Sequence, residues 1–320
     1  MEKEIFTLEH FEKMDDHNIM QYAIPLIIIC LVVEWAVGMY RKRNYYEKKD
    51  FLAALGIGAG NAILGGALKI VVFTISMVIY NKVPWAMPRV WWGFIICFIA
   101  VDFCRYWAHR ISHEQRMWWA THVTHHSSEK MNFAISFRTS WTTPIKFLFF
   151  LPVPFLGFDP FTFFVCHQLA VLYQFWVHTE LITKLPKPIE YIFVTPSHHR
   201  VHHGSDAKYL DKNYGSTFII WDRMFGTFQK EEEHPTYGLT TPVRSYNPVV
   251  LVFHEWVDIW NDLKYARSGK EVWGILFKPP GAVVTEHQRR KLQVPEQQLR
   301  KEGEPQEVPL GQQIDAAGAA

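Results

Sequence analysis

The chain has 320 residues and a net charge of +2, so it can form one membrane domain or one or two soluble ones, and nothing in its charge suggests a nucleic-acid binder. It is 49% hydrophobic and 16% aromatic, with thirteen Trp, yet its mean hydropathy is near zero. That average conceals long apolar runs separated by polar ones.

Residues 1–18 form an acidic leader, with Lys3 and Lys13 against six acids. The apolar run that follows, Ile19–Tyr40, is broken only by Gln21 and Glu34. Its acidic flank and its length do not suit a cleavable signal. Residues 51–80 are a second apolar run rich in Gly and Ala, and residues 90–108 a third. Residues 144–158 and 161–177 form a fourth and a fifth, read as a hairpin turned at Gly157, Phe158, Asp159 and Pro160. Stretches of about 20 residues fit a bilayer core. The fourth is short and carries Pro152 and Pro154, so it is read as re-entrant or interfacial. The expected fold is therefore all-α, a polytopic membrane protein with four to five membrane segments. Within the second run, Gly56, Gly58 and Gly60 have no preceding strand, so they are read as sites of close helix packing, not a dinucleotide loop. The four cysteines, Cys30, Cys97, Cys104 and Cys166, form no CxxC and are read as reduced packing residues.

Arg41, Lys42, Arg43, Lys48 and Lys49 follow the first run, which places that loop in the cytoplasm. Counting spans from there returns residues 109 onward to the cytoplasmic side, and the hairpin leaves from that same side. Residues 179–280 then form a cytosolic helical cap, and residues 285–320 a polar tail expected to be disordered.

Nine of the sixteen histidines fall on this side in patterned sets. His109 and His113 are four apart. His122, His125 and His126 form HxxHH, and so do His199, His202 and His203, with His198 just before. His178 stands apart, four residues after Gln174. A given window matches HxxHH by chance roughly once in 8,000. Positions i, i+3 and i+4 share a helix face, so each set is expected to point its imidazoles one way. Neutral imidazole suits Fe, Zn or Cu. Nine donors exceed the four of a closed zinc site, which points to more than one ion. Asp102 lies on the stripe of Tyr106, His109 and His113 inside an apolar run. It is read either as support for an imidazole N–H or as the ion-pair partner of Arg105 or Lys69. Glu34 and Lys69 are a second candidate intramembrane pair. Glu114 and Glu180, close in sequence to ligand candidates, could orient a ligand, bind a cosubstrate or face water. His10, His17, His167, His234, His254 and His287 lie outside the sets and are read as structural or solvated.

A metal transporter is one alternative, but it should hold its ligands at mid-membrane depth, and these follow span ends. A zinc protease should show HExxH, which is absent from the sequence.

The strings HRISH, HVTHH and HHRVHH after membrane spans resemble the fatty acid hydroxylase and sterol desaturase superfamily. WATHVTHHSSEKMNFAISFR, YQFWVHTELI, TPSHHRVHHG, DKNYGS and WDRMFGTF are similar to its branch that cleaves ether lipids of the alkylglycerol class. The resemblance runs over residues 90–245, within a membrane domain of residues 19–284. It implies a di-iron centre on the cytosolic side of a bacterial inner membrane or the endoplasmic reticulum. It also implies O2 as cosubstrate and a lipid chain as the substrate that is hydroxylated. The ether-cleaving branch implies tetrahydrobiopterin as reductant; an NAD(P)H-linked electron-transfer partner is the superfamily alternative. Other reactions on the same centre are fatty acid or carotenoid hydroxylation and sterol desaturation. The resemblance carries His109, His113, His122, His125, His126, His178, His199, His202 and His203 over as iron ligands. Some members have histidine where this chain has Gln174, which implies a weak ligand or a water-holding side chain there.

Overall fold

The computed structural model describes residues 3–11 and 19–282. The tail at 285–320 and residues 1–2 and 12–18 of the acidic leader, with His17 and His287, lie outside the described residues. Three long helices carry the apolar runs: α1 (Ile19–Tyr40), α2 (Lys48–Lys82) and α3 (Trp91–Glu114). Each is long and apolar enough to cross a membrane. They display their apolar side chains outward, among them Ile24, Ile28, Ile63, Ile95 and Ile99, as a helix facing lipid should. The Glu47 carboxylate accepts from Lys49 N at 3.2 Å and Asp50 N at 2.7 Å, so α2 begins one turn before its apolar run. At 1.5 Å per residue its 35 residues extend about 52 Å, longer than the ~30 Å hydrocarbon core.

The expected hairpin is present, but its arms are short. A 3₁₀ helix, Thr143–Phe150, leads into α6 (Pro152–Phe155), and Gly157 turns the chain at φ 89°. Asp159 then caps α7 (Pro160–Phe175), accepting from Thr162 N at 3.1 Å. Two prolines in four residues prevent a continuous helix in the first arm, so it cannot reach across a bilayer as α1 to α3 can. Cys97, Val101, Cys104, Phe150, Phe163 and Cys166 pack this hairpin against α3, and all four cysteines are free.

The glycines of α2 serve close approach. A Cβ on Gly60 would lie 2.4 Å from the Trp141 indole, and one on Gly58 would lie 3.0 Å from Phe137. Glu34 does not depend on Lys69. It is fully buried and accepts from Phe133 N at 2.8 Å and from the Tyr46 and Thr179 hydroxyls. The span thus delivers a carboxylate to the residue after His178.

Beyond the spans the chain forms short helices: α4 (Arg116–Trp119), α5 (Val123–His126), α8 (Lys187–Ile192), α9 (Pro196–His203) and α10 (Ile220–Phe225). Two amphipathic ones follow, α11 (Pro248–Leu263) and α12 (Gly269–Phe277). No named β-strand occurs among the described residues, only two isolated bridges.

Candidate metal centre

All nine patterned histidines converge, in two groups. His109, His113, His122, His126 and His202 form one; His125, His178, His199 and His203 form the other. Within each group the ligand atoms lie within 4.8 Å of one another. The expectation that each HxxHH set points one way is corrected here. His122 and His126 go to the first group and His125 to the second; His199 and His203 go to the second and His202 to the first. On a helix, position i+4 is about 40° ahead of i and i+3 about 60° behind, so the i, i+4 pair stays together and i+3 turns towards the neighbour. The groups abut, with the His126 and His203 rings stacked at 4.4 Å.

Buried polar contacts hold the short helices in place. Arg138 donates to Thr124 O at 3.3 Å, Ser127 Oγ at 2.6 Å and Asp50 Oδ1 at 2.9 Å, which fixes α5 to the start of α2. Thr195 N bonds His198 Nδ1 at 3.3 Å at the start of α9. Arg200, on α9 between His199 and His202, pairs with Glu231 at 2.6 Å and donates to the Thr179, Ile182 and Thr183 carbonyls, tying α9 to the loop after His178.

Residues 211–214 form a strap that sequence reasoning missed. Tyr214 O accepts from His109 Nδ1 at 2.8 Å, Lys212 O from His202 Nδ1 at 3.0 Å, and the Asp211 carboxylate lies 3.4 Å from His113 Nδ1. Three of the five imidazoles in the first group therefore have their outer nitrogen held by four consecutive residues. Two of these, Asp211 (φ 58°) and Asn213 (φ 56°), adopt the left-handed conformation that Asn and Asp tolerate best among non-glycine residues. Asn213 is anchored to Gln229 on both its backbone groups, at 2.7 and 2.8 Å. Buried Asp222 accepts from Tyr214 N and Gly215 N, each at 2.7 Å. The second group has fewer such anchors. His178 Nδ1 meets Gln174 O at 2.7 Å, whereas His199 Nδ1 is buried without a partner. The only hints in sequence were Asp and Asn at alternate positions of DKNYG.

These contacts fix tautomers. A carbonyl only accepts, so His109, His178 and His202 carry hydrogen on Nδ1 and present a bare Nε2 lone pair inward. Those Nε2 atoms lie against other imidazole nitrogens: His109 to His122 at 2.8 Å, His202 to His126 at 3.1 Å, and His178 to His199 at 2.7 Å and to His125 at 3.1 Å. His113 Nε2 is buried with no hydrogen-bond partner. In a six-coordinate shell, neighbouring nitrogens bound at about 2.1 Å to one ion are about 3.0 Å apart, so the donor set fits metal ions as the shared partner of these lone pairs. Burial, reinforced by neighbouring imidazoles, holds His122, His125, His126, His199 and His203 neutral far below the usual histidine range. Burial also lowers His178 to about 4. Neutral imidazole is the form a metal binds.

The other sequence candidates lie outside both groups. Asp102 touches no imidazole; it accepts from Thr217 N at 2.7 Å, Phe218 N at 3.2 Å and Trp221 Nε1 at 2.9 Å, so it positions the loop after the strap. Gln174 Oε1 accepts from Arg105 at 2.9 Å. His198 packs on Phe228 beside Glu190. Glu114 pairs with Arg110 at 2.7 Å. Glu180 accepts from Tyr237 and meets His234 at 3.1 Å. His10 pairs with Glu4, His254 Nδ1 meets Leu251 O, and His167 packs on Phe150.

A cavity of about 460 Å³ adjoins both groups; His109 and His122 of the first and His125, His178 and His199 of the second line it. Phe147, Phe150, Phe163 and Leu172 from the hairpin make much of its apolar wall.

Residues 94–227 match the family model described as fatty acid hydroxylase. The chain is 37% identical over 281 residues to the alkylglycerol monooxygenase of Xenopus tropicalis, covering 86% of this chain and 61% of that protein. It is 35% identical over 272 residues to that of Homo sapiens, covering 81% and 58%. It is 26% identical over 136 residues to the ornithine lipid hydroxylase OlsE of Rhizobium tropici, covering 42% and 41%. The chain spans about three fifths of the length of the alkylglycerol monooxygenases of Xenopus and human. No solved structure matches it significantly.

Proposed function

We propose that the chain, whose residues 94–227 match the fatty acid hydroxylase family model, is an O2-dependent lipid monooxygenase whose nine imidazoles hold two iron ions at the cytosolic face of the membrane. The observation that carries this reading is the pair of abutting Nε2 clusters, five and four donors strong, beside a largely apolar cavity. Two iron ions, when bound, supply the activation of O2 that attack on an unactivated C–H bond requires.

The chain's own residues do the rest. The strap and the Gln174 carbonyl hold imidazole hydrogens outward, so the lone pairs stay directed at the ions. The phenylalanines of the hairpin exclude water and align an alkyl chain. The outward apolar faces of α1 to α3 suit a bilayer, in which such a chain is already dissolved. We propose an alkylglycerol ether as the substrate, as the names of the Xenopus and human relatives suggest. Hydroxylation on the carbon next to the ether oxygen gives a hemiacetal, which collapses to a fatty aldehyde and glycerol. The reductant is proposed to be tetrahydrobiopterin, with an NAD(P)H-linked partner as the second arm of the test. Hydroxylation of another lipid chain is the second reading, favoured by the weaker match to the ornithine lipid hydroxylase.

The test is anaerobic loading of purified protein with iron, then O2 with parallel lipid classes and each reductant. Metal is counted and products are scored by mass. Two iron per chain and fatty aldehyde from an alkylglycerol support the reading. A single zinc per chain, or no oxidised lipid with either reductant, overturns it.

A further inference from the structure

The charge inside the cavity is unbalanced. Two lining side chains are cations, Lys146 and Arg105, and no lining residue is a carboxylate. Arg105 has partners in the protein: it donates to Ser216 Oγ at 2.7 Å and Gln174 Oε1 at 2.9 Å, and Asp102 lies one turn earlier on α3. Lys146 has none. Among the described residues, no carboxylate and no hydrogen-bond acceptor lies within bonding distance of its ammonium. It sits on the 3₁₀ helix Thr143–Phe150, where Ile145 and Leu148 face outward and Lys146 lines the cavity instead. A buried ammonium is costly unless an opposite charge meets it. Metal ions in the imidazole groups would add further positive charge on the same side. An anionic ligand entering the cavity would supply the counter-ion that its lining lacks.

We propose that this cavity takes an amphiphile with an anionic head, carboxylate or phosphate, and that Lys146 is the residue that binds the head. The assignment rests on reading the cavity as the lipid site of the enzyme. It deepens that reading by fixing which end of the lipid enters first. The head lies on the imidazole side, and the chain runs back along Phe147, Phe150 and Phe163. The carbons adjoining the head, not the tail end, then face the ligand nitrogens. Among ether lipids this favours an alkylglycerol that carries a phosphate over the uncharged alkylglycerol.

The test is equilibrium binding to the purified chain in zwitterionic nanodiscs, metal-free and iron-loaded, with dodecanoate, dodecyl phosphate and dodecanol as probes. The two anions distinguish a free-acid source from a phospholipid source. Wild-type protein should bind at least one anion about ten-fold tighter than the alcohol. Lys146→Met should remove that preference and leave dodecanol binding unchanged, which also shows that the variant is folded. Lys146→Arg should retain it. Equal binding of alcohol and anions by wild type overturns the assignment, and so does a preference that survives Lys146→Met. Should the Met variant fail to fold, wild type and Lys146→Arg decide alone: a preference in both supports Lys146, and its loss in the Arg variant or absence in wild type overturns it. The readout is binding, so absence of turnover with every lipid would defeat the proposed function while leaving this preference measurable.

Discussion

Replacing Asn213 by Ala separates the strap from the imidazoles it holds. The side chain accepts from Gln229 N at 2.8 Å and donates to Gln229 O at 2.7 Å and His198 O at 3.1 Å. Each such bond contributes about 1 kcal/mol. Ala at φ 56° adds roughly 1 kcal/mol of strain that Asn tolerates better. The expected destabilisation is about 4 kcal/mol, read by thermal unfolding in detergent. Asn213→Gly loses the same bonds but accepts the left-handed backbone, so it should cost about 1 kcal/mol less. The larger consequence concerns metal. The acceptors for His109, His113 and His202 all lie on residues 211–214, so loosening the strap should weaken the five-imidazole group by about 10- to 100-fold. The four-imidazole group, oriented through Gln174, should keep its ion. Titration with ⁵⁷Fe followed by Mössbauer spectroscopy resolves the two populations. An Asn213→Ala protein that fills both with unchanged affinity, or that loses the four-imidazole ion first, would refute this account of the strap.

His203→Ala should remove lipid oxidation while leaving membrane insertion intact; activity within two-fold of wild type would show that the imidazole is not a ligand. Metal-free protein should lose stability as pH falls below about 6.5 towards 4. Buried His178 is held near 4, so the unfolded chain takes up protons that the folded one refuses, about 3 kcal/mol from this residue alone. An unfolding midpoint independent of pH across that window would contradict the neutral assignment. Gly60→Ala should destabilise by about 1–3 kcal/mol, because its Cβ would fall 2.4 Å from the Trp141 indole and disturb the 2.9 Å bond from Trp141 Nε1 to Ile57 O. A neutral result in chemical denaturation would mean that α2 shifts freely.

The spans and the nine histidines were legible because apolar runs and i, i+4 spacing are local patterns. How the histidines divide was not. That depends on how α5 and α9 are rotated about their axes, which Arg138 and Arg200 set through partners far away in sequence. The strap was illegible for a different reason: two of its three acceptors are backbone carbonyls, which carry no side-chain signature. Asp102 was read towards imidazole or Arg105 because charges attract charges in apolar surroundings, yet backbone and indole N–H groups satisfy it instead. The hairpin turn was visible in its Gly and Pro, whereas the shortness of its first arm followed from prolines whose effect on length is not periodic.

Each HxxHH motif feeds both clusters, and this makes the assembly intolerant of a change in chain length. One residue inserted between His199 and His202 would turn everything after it by about 100°, displacing a donor from either basin at once. α3, whose pair serves a single basin, could slip by a turn and disturb only that one. Variation among natural descendants of this architecture should therefore collect in the loops that flank α5 and α9, never within those two helices.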